Sequence, residues 1–280
     1  MKKLFLILLS IFMLSMTNAT AQESKEFKCK NAKFKMIFVE SGTFTMGDNK
    51  SFDEKERPAH EVTLTDYYIG ETEVTQQLWN AVMGQNPSAF QGDRHPVEMI
   101  SWNRVQLFIS KLNDITGMEF RLPTEAEWEF AAKGGNKSQH YDYSGSNDRE
   151  KVAWCTLPSL SVGKGIYLSS TANVKKKKPN ELGIYDMTGN VAEFCQDFIS
   201  EYTADRQTNP MVNDKAACQK FKSSWEGSVK VYNDVIGKEL RVVRGGSYDS
   251  GVTNTKRQCV SQEIMSNFIG FRLALSKPAK

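Results

Sequence analysis

The sequence lacks the residue groupings on which most metal and thiol sites depend. It has five cysteines and three histidines, and no two cysteines form a C-x-x-C pair: Cys29, Cys155, Cys195, Cys218, Cys259, His60, His95 and His140. Zinc centres and redox motifs draw on closely spaced Cys and His residues. Their absence argues against a zinc centre. The odd number of cysteines leaves at least one thiol without a partner inside the chain.

The sequence also has no apolar run long enough to cross a membrane comfortably. It begins with Lys2 and Lys3, continues with a short apolar run at residues 4–16, and then places small residues before Ala21. This order predicts a secretory signal peptide over residues 1–21, with an uncleaved anchor as the alternative. The expected location is the periplasm or the cell exterior, where disulfides can form.

Net charge is the third quantity that is nearly absent. Without Lys2 and Lys3, the 36 basic residues fall to 34, against 33 acidic ones. A near-neutral chain offers no electrostatic basis for binding nucleic acid or an anionic membrane. Four consecutive lysines at 175–178 precede Pro179 and are predicted to be a solvated loop.

The remaining pattern mixes short strands and helices with long loops. Alternating apolar residues predict strands over 34–46, 60–65, 240–243 and 269–275. Three helices are predicted: one after the N-cap Thr75, one that begins at Ser101, and one after Thr124 with a capping box to Glu127. Residues 200–237 are polar without a clear period and are predicted to be an insertion.

Two glycines begin an unusual turn, Arg244-Gly245-Gly246-Ser247-Tyr248-Asp249-Ser250. Glycine accepts positive φ and lets another segment approach its backbone closely. The turn therefore suits a loop that faces a ligand, and it equally suits a β-bulge that only bends a strand.

Several motifs follow one another along most of the chain. They are FVESGTFTMG at 38–47, RPAHEV at 57–62, EVT at 73–75, RLPTEAEWE at 121–129, GIYDMTGNVAEF at 183–194, RGGS at 244–247 and GFR at 270–272. As an ordered set they resemble the formylglycine-generating enzyme or sulfatase-modifying factor domain family. The resemblance implies an α+β fold, an elaborated C-type-lectin-like domain that is loop-rich with few short helices and strands. It places that domain at 35–277, after a linker at 22–34.

The founding enzymes of this family oxidise a sulfatase cysteine to formylglycine, and they hold copper with two cysteines after the Gly-Gly-Ser-Tyr turn. The matching positions here are Ser250 and Thr255. Cu(I) prefers sulfur ligands, and hydroxyls are poor substitutes. Copper and the oxidase activity are therefore not expected. The resemblance makes the turn the floor of a cleft formed by Gly245, Gly246, Ser247, Tyr248, Asp249 and Ser250.

The resemblance also implies a calcium site. Its ligands would be two carboxylates and two carbonyls, from Asp186, Gly189, Val191 and Glu193. Oxygen ligands of this kind suit a hard cation. The alternative is that Asp186 and Glu193 cap amides of their own loop.

A disulfide between Cys195 and Cys259 is a further prediction, because the resemblance brings the motifs before them close together. Two buried free thiols are the alternative.

Three functions fit these observations. The first is an exported binding or scaffold module that takes a peptide, a glycan or an envelope protein. The second is a formylglycine-generating-type oxidoreductase with altered chemistry, although the sequence places no histidine base near Ser250. The third is a component of envelope secretion or gliding machinery, as the resemblance implies for some relatives. The missing thiols favour the first.

Overall fold

The computed structural model describes residues 22–156, 169–225 and 239–277. The predicted signal peptide and residues 226–237 of the predicted insertion lie outside these ranges. The strands of the described residues are β1 (Ser24–Cys29), β2 (Ala32–Val39), β3 (Gly42–Met46), β4 (His60–Leu64), β5 (Tyr67–Gly70), β6 (Phe120–Arg121), β7 (Ala192–Phe198), β8 (Gln207–Thr208), β9 (Leu240–Arg244), β10 (Gln258–Ser261), β11 (Ile269–Gly270) and β12 (Ala274–Ser276).

The largest sheet has five strands in the order β1-β2-β5-β12-β6, all paired antiparallel. Its edge strand β1 corrects one prediction, because residues 24–29 belong to the predicted linker at 22–34. The register runs from Ser24 opposite Ile37 to Cys29 opposite Ala32. The Phe27 ring stacks on Phe34, with ring centroids 5.5 Å apart. Pairing and aromatic contact therefore join this segment to the domain.

Two smaller sheets complete the strand arrangement. One has the order β10-β9-β7-β11, and the other has the order β3-β4-β8. The predicted strand at 269–275 is divided: β11 pairs with β7, and β12 pairs with β5 in the five-stranded sheet. The segment between them therefore passes from one sheet to another.

The helices are α1 (Gln76–Met83), α2 (Trp102–Thr116), α3 (Glu125–Ala132), α4 (Arg149–Val152) and α5 (Lys215–Trp225), with 3-10 turns at Glu54–Glu56 and Gly135–Lys137. The three predicted helix starts are confirmed, and Ser101 proves to be an N-cap as well. The side chains of Thr75, Ser101 and Thr124 accept from the amides that begin α1, α2 and α3, and Thr124 and Glu127 complete the capping box. These mixed sheets and short helices confirm the α+β prediction.

Two apolar clusters hold the layers together. The first packs the five-stranded sheet against α1 and α2, where Trp79 stacks on Phe108 with ring centroids 5.1 Å apart. The second surrounds α3 and includes Trp128. Cys218 and Phe221 of α5 belong to it, so the described part of the predicted insertion contributes to the core. No helix in the described ranges has the length and apolar character that crossing a membrane requires.

Candidate functional site

The Gly-Gly turn is a closed backbone structure at the end of β9. Gly245 and Gly246 have φ of +88° and +70°, and a Cβ at Gly246 would collide with the carbonyl oxygen of Ser250. Ser247 and Ser250 each donate their amide to the other's carbonyl at 3.0 Å. The two glycines are therefore required by left-handed backbone and close approach, and any larger residue would strain the turn.

Tyr248 fixes this turn to the domain. Its ring is buried and contacts the rings of Phe90 and Phe268, at centroid distances of 5.5 and 5.0 Å. Its amide donates to the carbonyl of Asn190 at 2.8 Å. Ser247 is also buried, whereas Asp249 and Ser250 are exposed. Only the tip of the predicted cleft floor therefore meets solvent.

Ser250 and Thr255, which match the copper-ligand positions of the founding enzymes, differ from each other in exposure and in hydrogen bonding. Ser250 is exposed at the tip, whereas Thr255 is half-buried and donates its hydroxyl to Glu56 at 2.8 Å. The thiol nearest this turn is one that the sequence did not single out. A Cβ at Gly251 would collide with the Sγ atom of Cys155, and burial raises the pKa of that thiol. A buried, protonated thiol does not replace a pair of thiolate ligands.

The predicted disulfide is not formed, because Cys195 and Cys259 are both free thiols in the structure. Cys195 lies in β7 and Cys259 in β10, and β9 separates the two strands. Strands two places apart in a sheet lie about 9.5 Å from each other, beyond the Cα separation of about 7 Å that a disulfide tolerates. The alternative prediction is two buried free thiols; both thiols are free, but Cys195 is buried whereas Cys259 is half-buried.

The predicted calcium loop is buried and tightly engaged. Asp186 has φ of +58° and accepts the Lys175 amide at 2.7 Å. Glu193 accepts from Arg272 at 2.5 and 2.6 Å and from the Trp128 indole at 2.7 Å. Both Glu193 oxygens therefore have partners within the protein, and the arginine already balances their charge.

Glu73 is the residue of this region that the sequence did not identify as a site residue. It is buried, and its Oε1 atom has no hydrogen-bond partner among the described residues. Burial, followed by the charges of Asp186 and Glu193, raises the pKa of Glu73 well above its usual range. Burial also raises the pKa of Asp186 to about 6. Three buried carboxyl groups thus share Arg272 as their buried cation.

This carboxyl group cluster fits a cation only in part. Carboxylate and carbonyl oxygens are the donors that calcium prefers, and the unpartnered Glu73 oxygen is the atom a cation would satisfy. However, the described residues contain no group of three or more Asp, Glu, His or Cys side chains that converge as metal ligands. Glu193 is directed to Arg272 instead.

The comparison with known families agrees with this geometry. A model of the sulfatase-modifying factor enzyme 1-like domain matches residues 20–277. The chain belongs to this family.

Proteins similar in sequence to this chain include a protein named as a chaperone and a formylglycine-generating enzyme. The chaperone protein LppX of Paenibacillus barcinonensis is 34% identical over 211 residues, which are 59% of this chain and 72% of the relative. The formylglycine-generating enzyme of Streptomyces coelicolor is 32% identical over 208 residues. The match covers 70% of this chain and 57% of the enzyme, so it spans just over half of the enzyme's length.

Solved structures show the same fold. Treponema denticola variable protein 1 has a TM-score of 0.73 and 30% identity, covering 91% of this chain and 99% of that one. PvdO from Pseudomonas aeruginosa has a TM-score of 0.67 and 22% identity, covering 90% and 98%. The second likeness concerns the fold alone.

In this sulfatase-modifying factor domain, a buried network of ion pairs begins at Arg244, next to the Gly-Gly turn. Arg244, the residue before Gly245, donates to Glu125 at 2.8 Å and to Glu129 at 2.5 Å. Arg257 donates to both oxygens of Glu125 at 2.6 Å. The two glutamates stand one turn apart on α3, which presents them to β9 on one face. The nearby Lys133 and Arg244 charges outweigh burial and lower the pKa of Glu129 to about 2.

Three exposed apolar side chains lie in one loop that contacts the same turn through Phe268. They are Ile264, Met265 and Phe268, whose side chains are 42%, 55% and 39% exposed. All three lie in the loop between β10 and β11, and Phe268 is the residue that stacks on Tyr248. We call this set the loop patch. Through Phe268, the loop patch contacts the turn that precedes the copper-ligand positions of the founding enzymes.

Proposed function

We propose that this chain is an exported binding module of the sulfatase-modifying factor family, without the copper-cysteine oxidase activity of the founding enzymes. The observation that carries the proposal is the chemistry at the turn. Ser250 and Thr255 offer hydroxyls where copper needs thiolates, and Thr255 is hydrogen-bonded to Glu56. The framework around these positions is otherwise complete, which supports retention of the fold for recognition.

The proposed ligand is a polypeptide segment with apolar side chains, bound across the loop patch. Clustered exposed apolar residues mark interaction sites more often than scattered ones do. Phe268 adds an exposed aromatic ring, held by its stack on the buried Tyr248, and aromatic residues often dominate interface energies. The relative named as a chaperone protein supports a polypeptide ligand rather than a glycan. Periplasmic or extracellular location is part of the same proposal and rests on residues 1–21.

Calcium at the 186–193 loop is also a proposal. Its ligands would be Asp186 and the carbonyl oxygens of Gly189 and Val191, and the free oxygen of Glu73 would replace the Glu193 oxygen that Arg272 engages. Support comes from the excess of buried carboxyl groups over arginine in this cluster, which a cation would relieve.

The ligand proposal predicts a loss of peptide binding when the loop patch is made polar. An array of immobilised peptides is probed with the mature protein and with an Ile264→Ser/Met265→Ser variant. We expect peptides with several apolar side chains to retain the wild type and to bind the variant at least about tenfold more weakly, because the apolar contact area is removed.

The matched control is Ile115→Ser/Met211→Ser. Ile115 and Met211 are exposed to 48% and 47%, similar to the patch residues, but neither belongs to the loop patch. This variant should bind as the wild type does. Equal losses in the two variants, or no retained peptide, would contradict the proposed binding face.

A further inference from the structure

A cavity lies between β2, β5 and α1, in a part of the domain away from the Gly-Gly turn. Its volume is about 220 Å³, and none of its lining residues belongs to the Gly-Gly turn or the loop patch. The lining includes the apolar residues Met36, Val74, Leu78 and Leu273, each of which is at most 3% exposed. The cavity is therefore bounded on one side by closely packed apolar residues.

Basic side chains surround this cavity. They are Lys33, Lys35, Arg94 and Lys175, and the acidic residues of the lining are Glu71 and the buried Glu73, with Glu26 in an adjoining pocket. Glu71 is shared by two of them: its oxygens lie 3.5 Å from the Lys35 Nζ atom and 2.9 Å from the Lys175 Nζ atom. Among the described residues, Lys33 and Arg94 take part in no ion pair. The rim thus has an excess of positive charge with two cations available to a ligand.

Lys175 is exposed, in agreement with the predicted solvated lysine loop, but both its backbone and its side chain have partners within the protein. Its φ is +64°, an uncommon conformation for a residue with a side chain. Its amide donates to the buried Asp186, and its ammonium group lies 4.7 Å from the centre of the Tyr185 ring. The preceding residue, Val174, donates its amide to the carbonyl of Arg94 at 2.9 Å.

A cationic rim beside a wall of apolar residues matches an anion that has a short apolar body. We propose that this cavity binds the carboxylate of a small organic acid or of a polypeptide C terminus, with the adjoining apolar group against that wall. Lys33 and Arg94 would hold the carboxylate, since charge-assisted hydrogen bonds from lysine and arginine are its strongest partners. This function is separate from polypeptide binding at the loop patch, and either can fail without the other.

The test is calorimetric titration of the mature protein with three probes: N-acetyl-L-leucine, N-acetyl-L-leucinamide and acetyl-Gly-Gly-Leu with a free C terminus. We expect saturable binding of at least one carboxylate and about tenfold weaker binding of the amide, which lacks the charge. Lys33→Ala/Arg94→Ala should weaken carboxylate binding by about tenfold or more. Tighter binding of the peptide assigns the site to a C terminus, and tighter binding of the acetylated amino acid assigns it to a free acid.

Lys176→Ala/Lys178→Ala provides the control, because both lysines are exposed on the same loop and neither lines the cavity. It should leave the affinity within about twofold of the wild type, as expected for distant surface charges. Equal affinity for acid and amide, equal losses in the two double variants, or no saturable binding of either carboxylate would overturn the proposal.

Discussion

Replacing Arg244 with methionine is expected to lower the free energy of unfolding by about 3 kcal/mol or more. Arg244 is fully buried and bridges Glu125 and Glu129, so its removal leaves these carboxylates with an uncompensated share of charge in the interior. Breaking one side of a buried ion pair is more destabilising than replacing the whole pair. The loss should also reach the Gly-Gly turn, because Gly245 follows Arg244 directly. Urea unfolding of the purified mature protein measures the effect.

Two further variants make the Arg244 prediction specific. Arg206→Met removes an arginine that pairs with Glu61 on the surface, where its side chain is 84% exposed, and should change stability by less than about 1 kcal/mol. Arg244→Met/Glu129→Gln should recover part of the stability lost in Arg244→Met, because one of the stranded charges is gone. A loss in Arg244→Met no larger than in Arg206→Met would show that the network is not a main support of the fold.

The stability of the domain is expected to fall as pH rises from about 4 to about 7. Asp197 is buried, and burial together with the charge of Glu125 raises its pKa from 3.8 to about 7. The folded state therefore holds this proton more tightly than the unfolded state does. The resulting stabilisation is complete below pH 3.8 and disappears as pH rises through 7. Three pKa units correspond to at most about 4 kcal/mol.

An Asp197→Asn variant isolates this contribution from other titrating groups. Both Asp197 oxygens accept backbone amides at 2.8 Å, from Glu125 and Val212. The asparagine amide can accept only one of them, so the variant should be less stable than the wild type in acid. Between pH 4 and pH 8 the wild type should lose stability relative to the variant in urea unfolding. Asp205→Asn, at an exposed position, should keep the wild-type slope. Parallel wild-type and Asp197→Asn curves would refute the assignment.

Local signals in the sequence predicted the features that local interactions determine. Each helix start follows from a side chain that accepts an amide two or three residues later, so Thr75, Ser101 and Thr124 could be recognised individually. The strands from β2 to β4 follow from alternation of apolar residues. The edge strand β1 escaped this pattern, because lysine and glutamate alternate with few apolar residues and its pairing with β2 decides its structure.

The candidate site depends on contacts between residues that are far apart in the sequence, and local patterns do not predict such contacts. Arg272 and Glu193 are separated by 79 residues, and Glu73 enters the same cluster from before α1. The sequence identified Asp186 and Glu193 as an oxygen-rich pair, but it could not show that an arginine engages one of them. The predicted Cys195–Cys259 bridge is wrong for the same reason, since proximity of two motifs does not reveal that β9 lies between them.

Metal analysis of the purified mature protein, combined with Cu(I) titration, tests the central claim most directly. The account predicts that Cu(I) does not bind stoichiometrically, because Ser250 and Thr255 supply no thiolate and Cys155 is buried. One equivalent of calcium would support the proposed site at Asp186 and Glu73, and its absence would remove calcium from the proposal. Stoichiometric Cu(I) binding with oxygen consumption on a cysteine-containing peptide would contradict the assignment as a binding module.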